Sequence, residues 1–265
     1  MNPQPVTHPP DMQARVHRLW DELTDFGAAR VEDAMLHALR ELAALLGAQQ
    51  AFWLGSVRLN RDTGDPALGW RPAGIRFLHP REEQQRNFNE HRRRIRQGQV
   101  DPSIAANVAG AGAFRVNIKT EMVGPEWFES EFYKAFFEVY GLRDAIYAAT
   151  PIGEDIESWF VFERKDERFV PFGPAERALL ETAVRPLKWL HRQIALHHGL
   201  LLAETPLMPS ERRLLVRLLG SGSEAEIAAD LKMTPASVHT CAMRIYRKFN
   251  AQGGRAGLMA LWLAR

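Results

Sequence analysis

The chain has 265 residues, of which 46% are hydrophobic and 25% charged, with a net charge of +2. This is ordinary globular composition with length enough for two domains, and it excludes a collagenous, low-complexity or fully disordered chain. A lone cysteine, Cys241, excludes an internal disulfide and points to the cytoplasm; no apolar run reaches the roughly 18 to 20 residues of a membrane span, so no membrane partner is expected.

Residues 1–10 carry Pro3, Pro5, Pro9 and Pro10 without a signal-peptide pattern and read as a disordered tail. Residues 11–48 read as helical in two pieces parted near Gly27, with Met35, Leu36, Leu39, Leu42, Leu45 and Leu46 forming an apolar face. Residues 51–59, rich in aromatic and β-branched side chains, predict a strand, and Asp62-Thr63-Gly64-Asp65-Pro66 is turn chemistry within residues 60–72. Residues 82–97 predict a polar helix. Its run His91-Arg92-Arg93-Arg94-Ile95-Arg96 reads first as a solvated face and second as a contact for nucleic acid or an acidic partner.

A strand at 113–119, a helix at 125–140 and strands at 144–150 and 158–164 follow, the last two joined by a hairpin-like turn, Pro151-Ile152-Gly153-Glu154-Asp155. Residues 173–203 predict a long helical segment through Leu179, Leu180, Val184, Leu187, Leu190 and Ile194, which Pro186 should kink or end.

Beyond it, Ser223-Glu224-Ala225-Glu226 has the hydroxyl and carboxylate spacing of a capping box, opening a short helix over 223–231 with Ile227 and Leu231 on one face. Lys232-Met233 gives a break, and Thr234-Pro235 starts the next helix with a side-chain cap and a proline at the first helical position. At 3.6 residues per turn, Val238, Ala242, Ile245 and Phe249 form a buried stripe. The opposite face carries Ala236, Ser237, His239, Thr240, Met243, Arg244 and Arg247, with Lys248 at its edge. Any surface helix can show water such a face; a helix lying in a DNA groove needs it, with polar groups toward base edges and cations toward phosphates. An earlier helix opening at Pro209-Ser210-Glu211-Arg212, with Leu214, Leu215, Leu218 and Leu219 inward, and a last one after Gly253-Gly254, with Leu258, Leu261 and Trp262, complete a small four-helix domain. Residues 205–265 hold nine Lys and Arg against four Asp and Glu, a net of +5, whereas residues 1–204 carry a net of −3. A basic end on an acidic body is the footprint of a nucleic-acid binder.

The run from Met208 to Leu263 resembles the LuxR-type (GerE-like) helix-turn-helix domain of bacterial transcription regulators. The resemblance rests on Pro209, Glu211, Glu226-Ile227-Ala228, Leu231, Thr234-Pro235, Val238 and Ile245-Tyr246-Arg247-Lys248-Phe249. It implies a recognition helix at 235–249 in which Thr234, Ser237, His239, Thr240, Met243, Arg244, Arg247 and Lys248 meet double-stranded DNA. It also implies a final helix whose Leu258, Leu261 and Trp262 pair two subunits as a homodimer, and RNA polymerase as a further contact. The chain departs from the family at Met208, where a capping hydroxyl is usual, and at Ala236 and Thr240, where many members carry a cation; one residue is missing near Gly222 and one is added near Gly253. These departures keep open an interaction protein that docks onto another regulator or RNA polymerase.

Upstream, the element order resembles a GAF/PAS-like sensor. The expected fold class is therefore α+β, with a mixed α/β sensor over residues 11–172, a helical connector over 173–204 and an all-α domain over 205–265. A sensor needs a pocket for a small-molecule ligand. Its candidate lining is Phe52, Trp53, Trp127, Phe132, Phe136, Tyr147 and Trp159, with Phe128, Tyr133, Phe137, Tyr140 and Phe160 behind them, although each aromatic could equally fill the core. His191, His197 and His198 lack the companions of a metal site. No nucleophile elbow or phosphate loop is present, so no cofactor, metal or enzymatic activity is expected.

Overall fold

The computed structural model describes residues 10–165, 170–201 and 207–263; residues 1–9 of the expected tail and 202–204 of the expected connector lie outside the described residues. The described chain is mixed α+β, with a five-stranded antiparallel sheet. It divides into two compact units, one holding the described residues up to Trp20 and His37–Lys188, the other Asp21–Leu36 and the described part of Trp189–Arg265. No helix among the described residues is long and apolar enough to cross a membrane.

The two helical pieces expected before the sheet are α1 (Pro10–Thr24) and α2 (Val31–Leu46), parted by Gly27 and a 3-10 turn at Ala28–Arg30. Helical spacing puts Val16, Leu19 and Leu23 on one side of α1 and Met35, Leu39, Leu42 and Leu46 on one side of α2, all buried, while Leu36 and Leu45 are half-buried at the margin. Then come β1 (Gln50–Arg58), β2 (Trp70–Phe77), α3 (Glu82–Arg96), α4 (Pro102–Ala109), β3 (Arg115–Ile118) and α5 (Lys119–Met122). After α6 (Glu131–Phe136) follow β4 (Leu142–Gly153), β5 (Ile156–Lys165), α7 (Pro174–Val184) and α8 (Lys188–His197).

The strand order is β2-β1-β5-β4-β3. β2 escapes the sequence reading because Pro72 and Gly74 interrupt its pattern. The sheet tolerates them because β2 is an edge strand and Pro72 sits at a bulge, where pairing slips from Gly55–Gly74 to Ser56–Pro72. Gly69, just before β2, has φ +80°, and a Cβ there would stand 2.0 Å from the Asn60 carbonyl oxygen, so only glycine closes this turn.

Two expected helices are corrected. Residues 125–140 form three short pieces, a 3-10 turn at Pro125–Glu129, α6, and a 3-10 turn at Glu138–Tyr140; Ser130 restarts the chain by accepting the Tyr133 amide at 3.1 Å, and Gly141 stops it at φ 67°. The long segment expected over 173–203 is interrupted at Arg185–Leu187, where Pro186 is expected to kink or end it, but it stops at His197, short of 203 and just before Gly199 at φ 72°.

Alternation along the strands assigns side chains to faces. Ala51 and Trp53 of β1, Ile146 and Ala148 of β4, and Phe160 and Phe162 of β5 are buried on one face. α7 packs on β3 and β4, and the Trp20 indole donates to the Ala183 carbonyl at 2.9 Å, tying α1 to α7. The other face carries Phe52, Leu54, Tyr147, Trp159, Val161 and Glu163, below α3, α4 and the short pieces around α6.

In the second unit, α9 (Pro209–Leu218), α10 (Glu224–Leu231), α11 (Pro235–Lys248) and α12 (Gly254–Leu263) follow in order, and α11 packs on α9, α10 and α12. The capping box opening α10 is formed: the Ser223 amide donates to Glu226 Oε2 at 2.7 Å, and the Ser223 hydroxyl accepts the Glu226 amide at 3.3 Å. At α9 only half a box exists, because Met208 has no oxygen to offer; its amide still donates to Glu211 Oε2 at 2.8 Å. Lys232, at φ 54°, turns the chain between α10 and α11, and the Met233 amide returns to the Ala228 carbonyl at 2.9 Å.

Candidate functional site

Two places carry chemistry. The first is a cavity of about 140 Å³ between the sheet and α3, α4 and the α6 region, lined mainly by apolar side chains. Its floor comes from alternate positions of adjacent strands, Phe52 and Leu54 of β1, Tyr147 of β4 and Trp159, Val161 and Glu163 of β5, with Trp70 and Phe77 from β2. α3 adds Asn87, Phe88 and His91; the N-terminal part of α4 adds Asp101, Ser103 and Ile104.

Of the seven aromatic residues expected foremost, four line this cavity: Phe52, Phe136, Tyr147 and Trp159. Trp53 is one residue out of phase with Phe52, so it points through the other face, fully buried, with its indole N–H donating to Ser158 Oγ at 2.8 Å. Trp127 stands behind the cavity and donates to Asp101 Oδ2 at 2.9 Å, its ring against Phe128, Tyr133 and Phe137; Phe132 packs on His91 and Phe136. Of the residues placed behind those seven, Phe137 and Tyr140 are cavity-lining, and Phe160 is buried on the other face.

The polar residues of this place were missed. Asp101 caps α4 by accepting the Ser103 amide at 2.7 Å and the Ser103 hydroxyl, and Asp101-Pro102 is a legible helix start that sequence reading could have used. Lys119, 1% exposed, follows β3 as the first residue of α5, with its ammonium 3.2 Å from the centroid of Phe137 and 5.3 Å from that of Trp127. Burial pulls its pKa down to about 8, against the opposing pull of Glu163, Asp101 and Asp144. Glu163 is buried, and its pKa is raised by desolvation, partly offset by Lys119 and Lys165. Burial also lowers His91 to about 4, so its ring is neutral near pH 7.

The second place is the exposed face of α11. Val238, Ala242, Ile245 and Phe249 are fully buried, with Cys241 beside them, each large apolar side chain contributing roughly 1.5–3 kcal/mol. Ser237, His239, Thr240, Met243, Arg244 and Arg247 are exposed together, as is Ala236. Thr234 caps the helix by accepting the Ser237 amide at 3.1 Å, and His239 approaches Glu224 at 3.4 Å. Lys248 is placed differently: its ammonium donates at 2.7 Å to Glu211, which is 3% exposed, so it ties α11 to α9. On α12, Leu258 is fully buried inside the unit, where it cannot serve a surface between subunits; Leu261 is half-buried, and the side chain of Trp262 lies outside the described residues.

This unit also buries His191 completely, and desolvation lowers its pKa to about 3. The unfolded chain takes up that proton near pH 6.5 and the folded chain only near 3, so stability is full above 6.5 and falls between those values. Chemical denaturation between pH 7 and pH 5 should show a loss approaching about 1.4 kcal/mol per pH unit below 6.5, and His191→Phe should flatten it.

No protein-family model matches the chain, and no curated protein does. Similar solved structures include SdiA in complex with octanoyl-rac-glycerol, 15% identical, with 98% of this chain and 97% of that chain covered and a TM-score of 0.47. Another is Escherichia coli SdiA, 14% identical over 96% and 98% of the two chains, TM-score 0.44. A third is CepR2 of Burkholderia cenocepacia, described as an N-acylhomoserine lactone dependent LuxR family transcription factor, 17% identical over 70% of this chain and 98% of that one, TM-score 0.45.

Proposed function

We propose that this protein is a DNA-binding transcription regulator that uses α11 as its recognition helix, binds a duplex site as a homodimer and is modulated by a small molecule in the cavity of the first unit. The observation that carries this reading is the division of α11: a fully buried stripe on one side, and on the other an exposed row running from Ser237 and His239 to Arg244 and Arg247, just after a short turn from α10. Hydroxyl and imidazole groups near the helix start suit base edges, and the two guanidinium groups further along suit phosphate oxygens. The cavity supports the sensing half, being mostly apolar with a few polar groups.

Selection from random duplex DNA by the purified chain, at two salt concentrations, should enrich a palindrome. Arg244→Ala and Arg247→Ala should each weaken binding and reduce the slope of log K against log salt by about 0.9. Unchanged affinity in both variants would mean that the docking face is misassigned. A selection that enriches nothing favours the reading as an interaction protein, which the use of Lys248 by Glu211 supports, since it removes one cation from the exposed row.

A further inference from the structure

We propose that the cavity of the first unit selects a small aromatic or apolar molecule carrying a protonated amine, with Glu163 as its counter-ion. This rests on the reading of that cavity as a ligand site and adds the chemical class of the ligand. Glu163 is 8% exposed and lines the cavity; among the described residues its carboxylate accepts no hydrogen bond and forms no close ion pair, and its charge is opposed only at longer range, by Lys119 and Lys165. A buried carboxylate left so is costly, and a cation brought in by a ligand is one group that would satisfy it.

Most of the other polar groups at the cavity are already engaged. Asp101 is already engaged on both oxygens, by Ser103 and by the Trp127 indole at 2.9 Å, so it has less to offer a ligand. Two amide groups at the cavity are engaged, Gln84 Nε2 donating to Gln50 Oε1 at 2.9 Å and Asn87 Nδ2 donating to the Phe136 carbonyl at 3.2 Å, while the neutral His91 ring keeps a buried Nε2 without a hydrogen-bond partner among the described residues. Among the described residues no Lys or Arg lines the cavity; Lys119, which opposes the charge of Glu163 from behind the lining, has its ammonium over the ring of Phe137. The lining therefore presents a carboxylate and the electron-rich faces of rings such as Phe52, Trp70, Phe136 and Trp159. That combination attracts an ammonium group and repels a carboxylate.

The test uses the full chain and three probes of nearly one shape, phenethylamine, phenylethanol and phenylacetate, followed by quenching of tryptophan fluorescence, since Trp70 and Trp159 line the cavity. Phenethylamine should bind about tenfold more tightly than phenylethanol, and phenylacetate more weakly than either. E163Q should abolish the preference for the amine while binding phenylethanol as before, which also reports that it is folded; E163D should keep the preference at reduced affinity. Equal binding of amine and alcohol by the unmodified chain, or a preference that survives E163Q, would overturn the amine proposal and leave the cavity as a ligand site. If no probe binds, both fall.

Discussion

Glu157→Ala should destabilise the first unit by about 3–5 kcal/mol. Glu157 is fully buried on β5 and satisfies four donors. Its Oε1 accepts the Gly112 amide at 2.9 Å and Arg115 Nη1 at 2.8 Å; its Oε2 accepts Arg115 Nη2 at 2.8 Å and the Trp159 indole at 2.9 Å. Arg115 lies on β3 and must cross β4 to reach it. The residue it crosses is Ala149, its partner in the ladder, small enough to leave the guanidinium a path. Removing the carboxylate leaves a nearly buried guanidinium with only the Ala113 carbonyl at 3.1 Å to accept from it, and an indole N–H without its acceptor, which costs more than the pair itself contributes. The double replacement of Arg115 and Glu157 by Met should therefore cost less than Glu157→Ala alone. Urea unfolding followed by tryptophan fluorescence measures both, and a loss under about 1 kcal/mol for the alanine variant would show that the bidentate pair does not hold the sheet.

Arg255→Ala should cost the second unit about 2–3 kcal/mol and weaken the proposed DNA binding without touching the exposed face of α11. Arg255, in the first turn of α12, donates to the carbonyls of Leu218 at 2.7 Å, Gly220 at 2.6 Å, Gly222 at 2.6 Å and Arg217 at 3.4 Å. These include the orphaned carbonyls at the end of α9 and the loop that sets the start of α10, so one guanidinium stands in for a C-cap. Gly253 and Gly254, both at positive φ, bring α12 round to place it. Arg255→Lys should recover only part of the loss, because an ammonium lacks the planar fork that reaches several carbonyls at once. Hydrogen exchange at α10 faster than at α11 in the alanine variant is the expected signature. Equal protection across both helices would place the effect elsewhere.

The second unit was legible to the extent that its determinants are local. A hydroxyl three residues before a carboxylate, Thr-Pro at a helix start and an apolar spacing of three and four are all written within one turn of the residues they govern. Thus α10 and α11 begin where Ser223 and Thr234 say they do. Lys248 was read as a free cation at the edge of that face because nothing near it in sequence reveals Glu211, which is 37 positions away.

The cavity was legible in its aromatic content but not in its polar half. Phe52 and Trp53 are equal as sequence; the side each takes follows from the phase of β1 in the sheet, and one residue of phase separates a cavity wall from a core. β2 was missed, and with it Trp70 and Phe77, since an edge strand with proline at a bulge carries little pattern of its own, whereas α4, with Asp101 and Ser103, was missed although its Asp101-Pro102 start was legible.

By itself, then, the sequence determined the α+β class, the helix starts, the buried stripe of α11 and the positive sign of the C-terminal residues, all properties of neighbours along the chain. Only the tertiary structure decided that Glu157 satisfies Arg115 across a strand, that Leu258 is core, and that Glu163 faces a cavity with no donor hydrogen-bonded to it among the described residues. Pairing register and burial are set by residues far apart in sequence, and the energy of a charge depends on what surrounds it rather than on what precedes it.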